Sequence, residues 1–139
     1  GLGGIGGRNF RESTQSRTES ASSMSFSHSA HAIDFCDKFL TLMEDQRVWS
    51  QETFGKDSDR GPIGALKHLE LEAKEAQDAV GTPEIREELA DCFLLLFDAA
   101  RRAGVSAGEL VDEAVKKMAK NKKRKWQVPV NDEPVLHVE

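Results

Sequence analysis

The chain has 139 residues, enough for one domain with a real core, and carries 24 acidic against 19 basic side chains, a net charge of −5. That balance argues against a general nucleic-acid binder, which is usually basic, and no apolar stretch approaches the ~20 residues of a membrane span. Small phosphorylated ligands stay open, because a metal ion can reverse the local sign of charge.

Residues 1–23, GLGGIGGRNFRESTQSRTESASS, are rich in Gly, Ser, Thr and Arg and read as a disordered leader or a non-native remnant. Met24 is then a candidate natural start. Gly1, Gly3 and Gly6 match G-x-G-x-x-G, but that pattern carries meaning only between a strand and a helix, so it is discounted. A first helix is predicted over about 29–47, with Ile33, Cys36, Leu40 and Met43 at helical spacing. Phe35, Phe39 and Leu42 add a second stripe, so this helix is expected to be buried on more than one side. The stretch VWSQETFGKDSDRG reads as a loop. A second helix starts near Pro62 and runs to about Ala79. Thr82 as N-cap and Pro83 at the first helical position open a third, which runs to Ala103 and stops at Gly104. Ser106 and Glu109 form a capping box for a fourth, continuing to about Lys125. Residues 127–139, with two prolines, read as an extended C-terminal tail, and no clear strand is visible. The fold class expected is all-α: an antiparallel four-helix bundle in a domain spanning 24–126. Cys36 and Cys92 each fall in an apolar helical pattern and outside any CxxC, which fits buried reduced thiols in a cytoplasmic protein.

The acids of the second and third helices point the wrong way for solvated charge. At about 100° per residue, Glu72 falls within roughly 40° of Ala65, Ala76 and Ala79, with Glu75 and His68 beside it. Glu88 lies about 20° from Leu95 and Ala99, and Asp91 about 40° from Leu95. Two helices therefore each send an i, i+3 carboxylate pair toward the core. Four such groups in one region repel strongly unless some are protonated or a cation lies between them. Oxygen-only ligands favour Mg²⁺, with Mn²⁺ as a substitute, over zinc. On the fourth helix Lys117, Asn121 and Arg124 form a column at i, i+4, i+7, within a run of seven bases and no acids from Lys116 to Lys125. A metal cluster facing such donors is what a polyphosphate requires.

Plainer readings stand beside these. A lone E-x-x-E or E-x-x-D means little; two of them turned inward on adjacent helices mean more. The basic run is equally a solvated helix end with a favourable dipole interaction, the preferred reading for Lys116, Lys122, Lys123 and Lys125. Asp98 shares Asp91's column, and an i+4 pairing with Arg102 explains it as well as a ligand contact does. His68 fits a partner to Glu72 or a core-edge residue. Trp49 and Phe54 could stack on a base or anchor their loop in the core. Trp126 reads as a cap on the bundle end.

Together these residues resemble the MazG-like all-α NTP pyrophosphohydrolases, whose motif is E-x-x-E followed after a spacer by E-x-x-D, here Glu72/Glu75 and Glu88/Asp91. WSQETFG, GALKHLELEAKE, EELADCFLLLFDAARRAG and KKMAKNKKRKW are similar to the dATP/dGTP pyrophosphohydrolase branch, over roughly residues 49–126. Many relatives have Glu directly before the first motif Glu, where this chain has Leu71. The resemblance implies that Glu72, Glu75, Glu88 and Asp91 are catalytic and hold Mg²⁺. It implies a (deoxy)purine nucleoside triphosphate as substrate, cleaved between the α- and β-phosphates, with Lys117, Asn121 and Arg124 on the phosphates. Weaker base or sugar contacts fall to Trp49, Phe54, His68 and the Asp98 position. A homodimer or homotetramer is implied, and the apolar run CFLLLF, which surrounds its helix, fits such an assembly. The alternatives are a non-catalytic helical module that binds a nucleotide or partner, and a di-iron carboxylate bundle. The second needs E-x-x-H pairs, which the second and third helices lack.

Overall fold

The computed structural model describes the backbone of residues 6–138 and the side chains of residues 29–138. Residues 1–5, with most of the Gly1–Gly3–Gly6 pattern and the start of the leader, lie outside the described residues, as does Glu139 of the tail. Among the described residues there are four helices, α1 (Gly6–Phe54), α2 (Ile63–Asp78), α3 (Ile85–Arg102) and α4 (Ala107–Lys123). An antiparallel ribbon of two short strands, β1 (Lys125–Trp126) and β2 (His137–Val138), follows. The architecture is all-α, as the periodicity predicts. The chain divides into two compact units, Gly1–Asp45 and Gln46–Glu139.

The first unit holds the part of α1 up to Asp45. Ile33, Phe35 and Leu40 are 65%, 68% and 64% exposed, and Cys36 is exposed too. The expected burial of this helix on two sides, and of the Cys36 thiol, is therefore not met within its own unit. Its described contacts are local: Phe35 and Phe39 stack with ring centroids 6.3 Å apart, and Lys38 pairs with Asp34 at 3.1 Å.

The second unit carries the rest. Residues 48–54, expected in a loop, continue α1 as helix. Gly55, at φ 107°, ends it in a left-handed conformation that a side chain disfavours. The extra turns persist because Gln46 and Ser50 are both buried and bonded to α3, so tertiary contacts override weak local propensity. Helices α2 and α3 pack along each other, and their short connection makes them antiparallel; α4 packs more lightly on α3. Thr82 does not cap α3, which begins at Ile85 with Glu84 at the cap position. Its hydroxyl instead donates to Ala79 O at 2.7 Å, closing the end of α2. The Ser106 capping box forms: its Oγ accepts from Glu109 N–H at 3.1 Å.

The tail is not simply extended. Lys125 pairs with Val138 and Trp126 with His137. Trp126 Nε1 donates to Asn121 O at 2.9 Å and so covers the last turn of α4. The wholly apolar core is small. Among the described residues Ala76 and Ala99 are its buried apolar members, while Phe93 and Leu96 of the CFLLLF run are 39% and 43% exposed. No helix of the described residues is long and apolar enough to cross a membrane.

Candidate functional site

The α2–α3 pairing brings three of the four expected acids into one cluster, with Asp91 beside it. Oxygens of Glu72, Glu75 and Glu88 lie within 4.8 Å of one another. Asp91 is close enough that its charge acts on both Glu75 and Glu88. Glu75 is pushed above the usual carboxylate range, first by its contact with the Glu72 carboxyl and then by the Glu72 charge. Glu88 is pushed up by burial and by the charges of Glu75, Glu72 and Asp91. Glu72 and Glu88 each hold one buried carboxylate oxygen, Oε2, without a hydrogen-bond partner. Buried orphan acceptors are costly, and like charges at this spacing repel. A divalent cation answers both problems, and an all-oxygen donor set suits Mg²⁺ or Mn²⁺. The residues present fit such an ion.

Two neighbours touch the cluster. His68 lies 3.1 Å from Glu72 Oε1 through Nε2, the partnership expected from their i, i+4 spacing. Cys92 is partly buried beside the acids; burial and the charges of Glu72, Asp91 and Glu88 raise its thiol pKa, which keeps it protonated and unreactive.

Beyond His68 opens a cavity of about 90 Å³. Phe54, Ala65 and Leu95 form its apolar wall, and Arg60, His68, Asp98 and Arg102 its polar one. Three residues weighed as base or sugar contacts, Phe54, His68 and Asp98, thus share one cavity beside the acids. The fourth, Trp49, reaches it indirectly, packing edge-on against Phe54 with ring centroids 5.4 Å apart.

Asp98 has a second role here. Its Oδ1 accepts from Gln46 Nε2 (2.8 Å), Ser50 Oγ (2.6 Å) and Arg101 Nη2 (2.6 Å), and its Oδ2 from Arg102 Nε (3.1 Å). Burial alone would raise its pKa, but these four donors prevail and hold it at about 2. Arg102 also donates to Ser50 Oγ, Ser50 O, Gly55 O and Arg60 O, while Arg101 donates to both oxygens of Asp57. The end of α1, the 55–62 loop and α3 are tied together through one carboxylate. Of this set, only the i+4 pairing of Asp98 with Arg102 was legible in the sequence. Gln46, Ser50, Asp57 and Arg101 carry no local signal beyond Arg101 standing three residues after Asp98.

The column expected to bind phosphate is not joined to the acids within the described residues. Among the described residues no ion pair or hydrogen bond links Lys117, Asn121 or Arg124 to Glu72, Glu75, Glu88 or Asp91. Lys117 is exposed, Arg124 caps α4, and Asn121 Oδ1 is a buried acceptor without a partner.

An all-α scaffold that turns E-x-x-E and E-x-x-D pairs onto one another defines the helical nucleotide pyrophosphohydrolase class. The chain belongs to the dATP/dGTP pyrophosphohydrolase family, which it matches over residues 42–139. It is also similar to the Eaa protein of Salmonella phage P22, 43% identical over 97 residues, 70% of this chain and 29% of that protein. The chain thus spans less than a third of that relative's length. No solved structure matches it.

Proposed function

We propose that the protein is a Mg²⁺-dependent nucleoside triphosphate pyrophosphohydrolase that converts a deoxypurine nucleoside triphosphate, dGTP or dATP, to the monophosphate and pyrophosphate. The observation that carries this reading is the convergence of Glu72, Glu75 and Glu88 with two buried carboxylate oxygens left unpartnered. Family membership supports the nucleotide and the class of reaction.

Glu72, Glu75, Glu88 and Asp91 hold the metal, which when bound supplies positive charge to the phosphate oxygens and lowers the cost of ionising water. A carboxylate of the cluster takes the proton of a water as that water attacks the α-phosphorus. The bond from the α-phosphorus to the oxygen bridging the α- and β-phosphates breaks, and pyrophosphate leaves with the bonding electrons. Lys117 and Arg124 meet the charge on the leaving group, and Asn121 helps to orient it. No covalent nucleophile is required. His68 positions Glu72 and stands between the metal ligands and the cavity that receives the base.

We further propose a homodimer or homotetramer. Exposed Phe93 and Leu96 on α3, and exposed Ile33, Phe35 and Leu40 on α1, are larger apolar groups than a lone chain leaves open without cost. Light scattering after gel filtration tests this, and a monomer at micromolar concentration would refute it. The hydrolase reading is tested by a panel of the eight common NTPs and dNTPs with product analysis in Mg²⁺. A purine deoxynucleotide giving equimolar monophosphate and pyrophosphate is expected; orthophosphate, intact triphosphate or no turnover would count against it.

A further inference from the structure

We propose that Arg60 reads the base and selects guanine over adenine. The proposal rests on the hydrolase reading only in taking the cavity beside Glu72 as the seat of the base. At about 90 Å³ that cavity is too small for a whole nucleotide, but it suits the edge of a flat ring lying against Phe54.

Its four polar lining residues differ in what they have left to offer. Asp98 accepts four hydrogen bonds from the protein, and Arg102 spends its donors on Asp98, Ser50, Gly55 O and Arg60 O. His68 is engaged with Glu72 through Nε2. In the neutral tautomer that donates to this carboxylate, Nδ1 is a single acceptor, which pairs with an amino group of either purine. Arg60 alone keeps several donors. Its Nη1 donates to Phe54 O at 3.1 Å, and among the described residues its side chain makes no ion pair and no other hydrogen bond.

The guanidinium is also held in place. The backbone carbonyl of Arg60 accepts from buried Arg102 at 3.3 Å. Its side chain lies over Gly64, where a Cβ would come within 2.8 Å of Nη2. The missing side chain at Gly64 is therefore what lets the fork rest against α2. A donor-only fork matches the paired acceptors O6 and N7 of guanine. Adenine offers N7 beside an amino group, which meets a second donor with a donor.

The test compares dGTP, dATP and 7-deaza-dGTP, which lacks the N7 acceptor, on the full chain. Binding is measured by calorimetry with Ca²⁺ in place of Mg²⁺, and kcat/KM in Mg²⁺. The wild type is expected to favour dGTP over dATP by about 5-fold or more, and over 7-deaza-dGTP as well. Arg60→Gln is expected to bring both ratios toward unity by loss on the dGTP side. Gly64→Ala is expected to do the same with Arg60 still present, because the new methyl displaces the guanidinium, while the thermal midpoint holds or rises. Equal use of dGTP and dATP by the wild type, or wild-type ratios in either variant, overturns the proposal and leaves the hydrolase reading standing. A dGTP preference in binding without hydrolysis supports the base contact and overturns the hydrolase reading. Failure to bind any of the three overturns both.

Discussion

Asp91 and Asp98 stand seven residues apart on α3, in one column, yet the protein treats them in opposite ways. Asp98 is surrounded by Gln46, Ser50, Arg101 and Arg102 and stays ionised down to about pH 2. Asp91 adds its charge to Glu75 and Glu88, and beside them Glu72 and Glu88 each leave one buried oxygen without a hydrogen-bond partner. Partners, and not residue type or helix face, separate a satisfied structural carboxylate from the acids proposed to hold a metal. The first region spends its polar groups on itself; the second leaves two buried carboxylate oxygens without a protein partner.

The comparison breaks most visibly if Asp98 is removed. Asp98→Ala removes the buried carboxylate that Arg101 and Arg102 share, leaving them Asp57 as the remaining one, and loss of one partner of a buried pair costs about 3–5 kcal/mol. A matching fall in unfolding free energy is expected in urea melts. A loss below 1 kcal/mol would show that the network is not structural.

Glu88→Gln should act in the reverse sense. It removes a proposed metal ligand, so turnover is expected to fall by roughly 10²–10³-fold, as when a preorganised electrostatic group is lost. It also relieves repulsion, so the metal-free variant should melt at or above the wild-type temperature. A kinetic assay beside a thermal melt checks both, and a variant that is active or unstable contradicts the assignment.

The two regions also pull the pH dependence apart. Asp98 is depressed to about 2, against about 3.9 unfolded, so its contribution is complete above the unfolded value and is lost as pH falls toward 2. That acid limb is worth of order 2 kcal/mol. Glu75 and Glu88 are raised, so their ionisation penalises the fold as pH climbs through the carboxylate range. Metal-free protein should therefore be most stable on the acid side of neutrality, and Mg²⁺ should flatten the alkaline limb. Urea melts at several pH values with and without Mg²⁺ measure both limbs; an alkaline limb that Mg²⁺ leaves unchanged would contradict the assignment.

Much of this was legible in the chain itself. Helical spacing locates α2, α3 and α4, and the helical wheel alone turns Glu72, Glu75, Glu88 and Asp91 inward. The Ser106 cap was local chemistry and formed as read. What escaped was non-local. Residues 48–54 lack a strong helical signal and are helical because Gln46 and Ser50 reach Asp98, about fifty positions away. Thr82 has the features of an N-cap, but the turn geometry gives its hydroxyl a closer acceptor in Ala79 O. The β1–β2 ribbon has two residues per strand, too few for an alternating pattern to register. The exposed apolar residues of α1 and α3 read as buried because helical periodicity reports that apolar residues share a face, not what covers that face.

The proposed divalent-cation site at Glu72, Glu75 and Glu88 stands against an Asp98 carboxylate already satisfied by four donors. Thermal melts of metal-free wild type and Glu88→Gln, titrated with Mn²⁺ near neutral pH, test it most directly. Binding to the native state alone must raise the melting temperature with ion concentration. The account predicts a saturable rise for the wild type, and for Glu88→Gln a higher starting point with little or no rise. No shift in the wild type, or the same shift in both proteins, would contradict it.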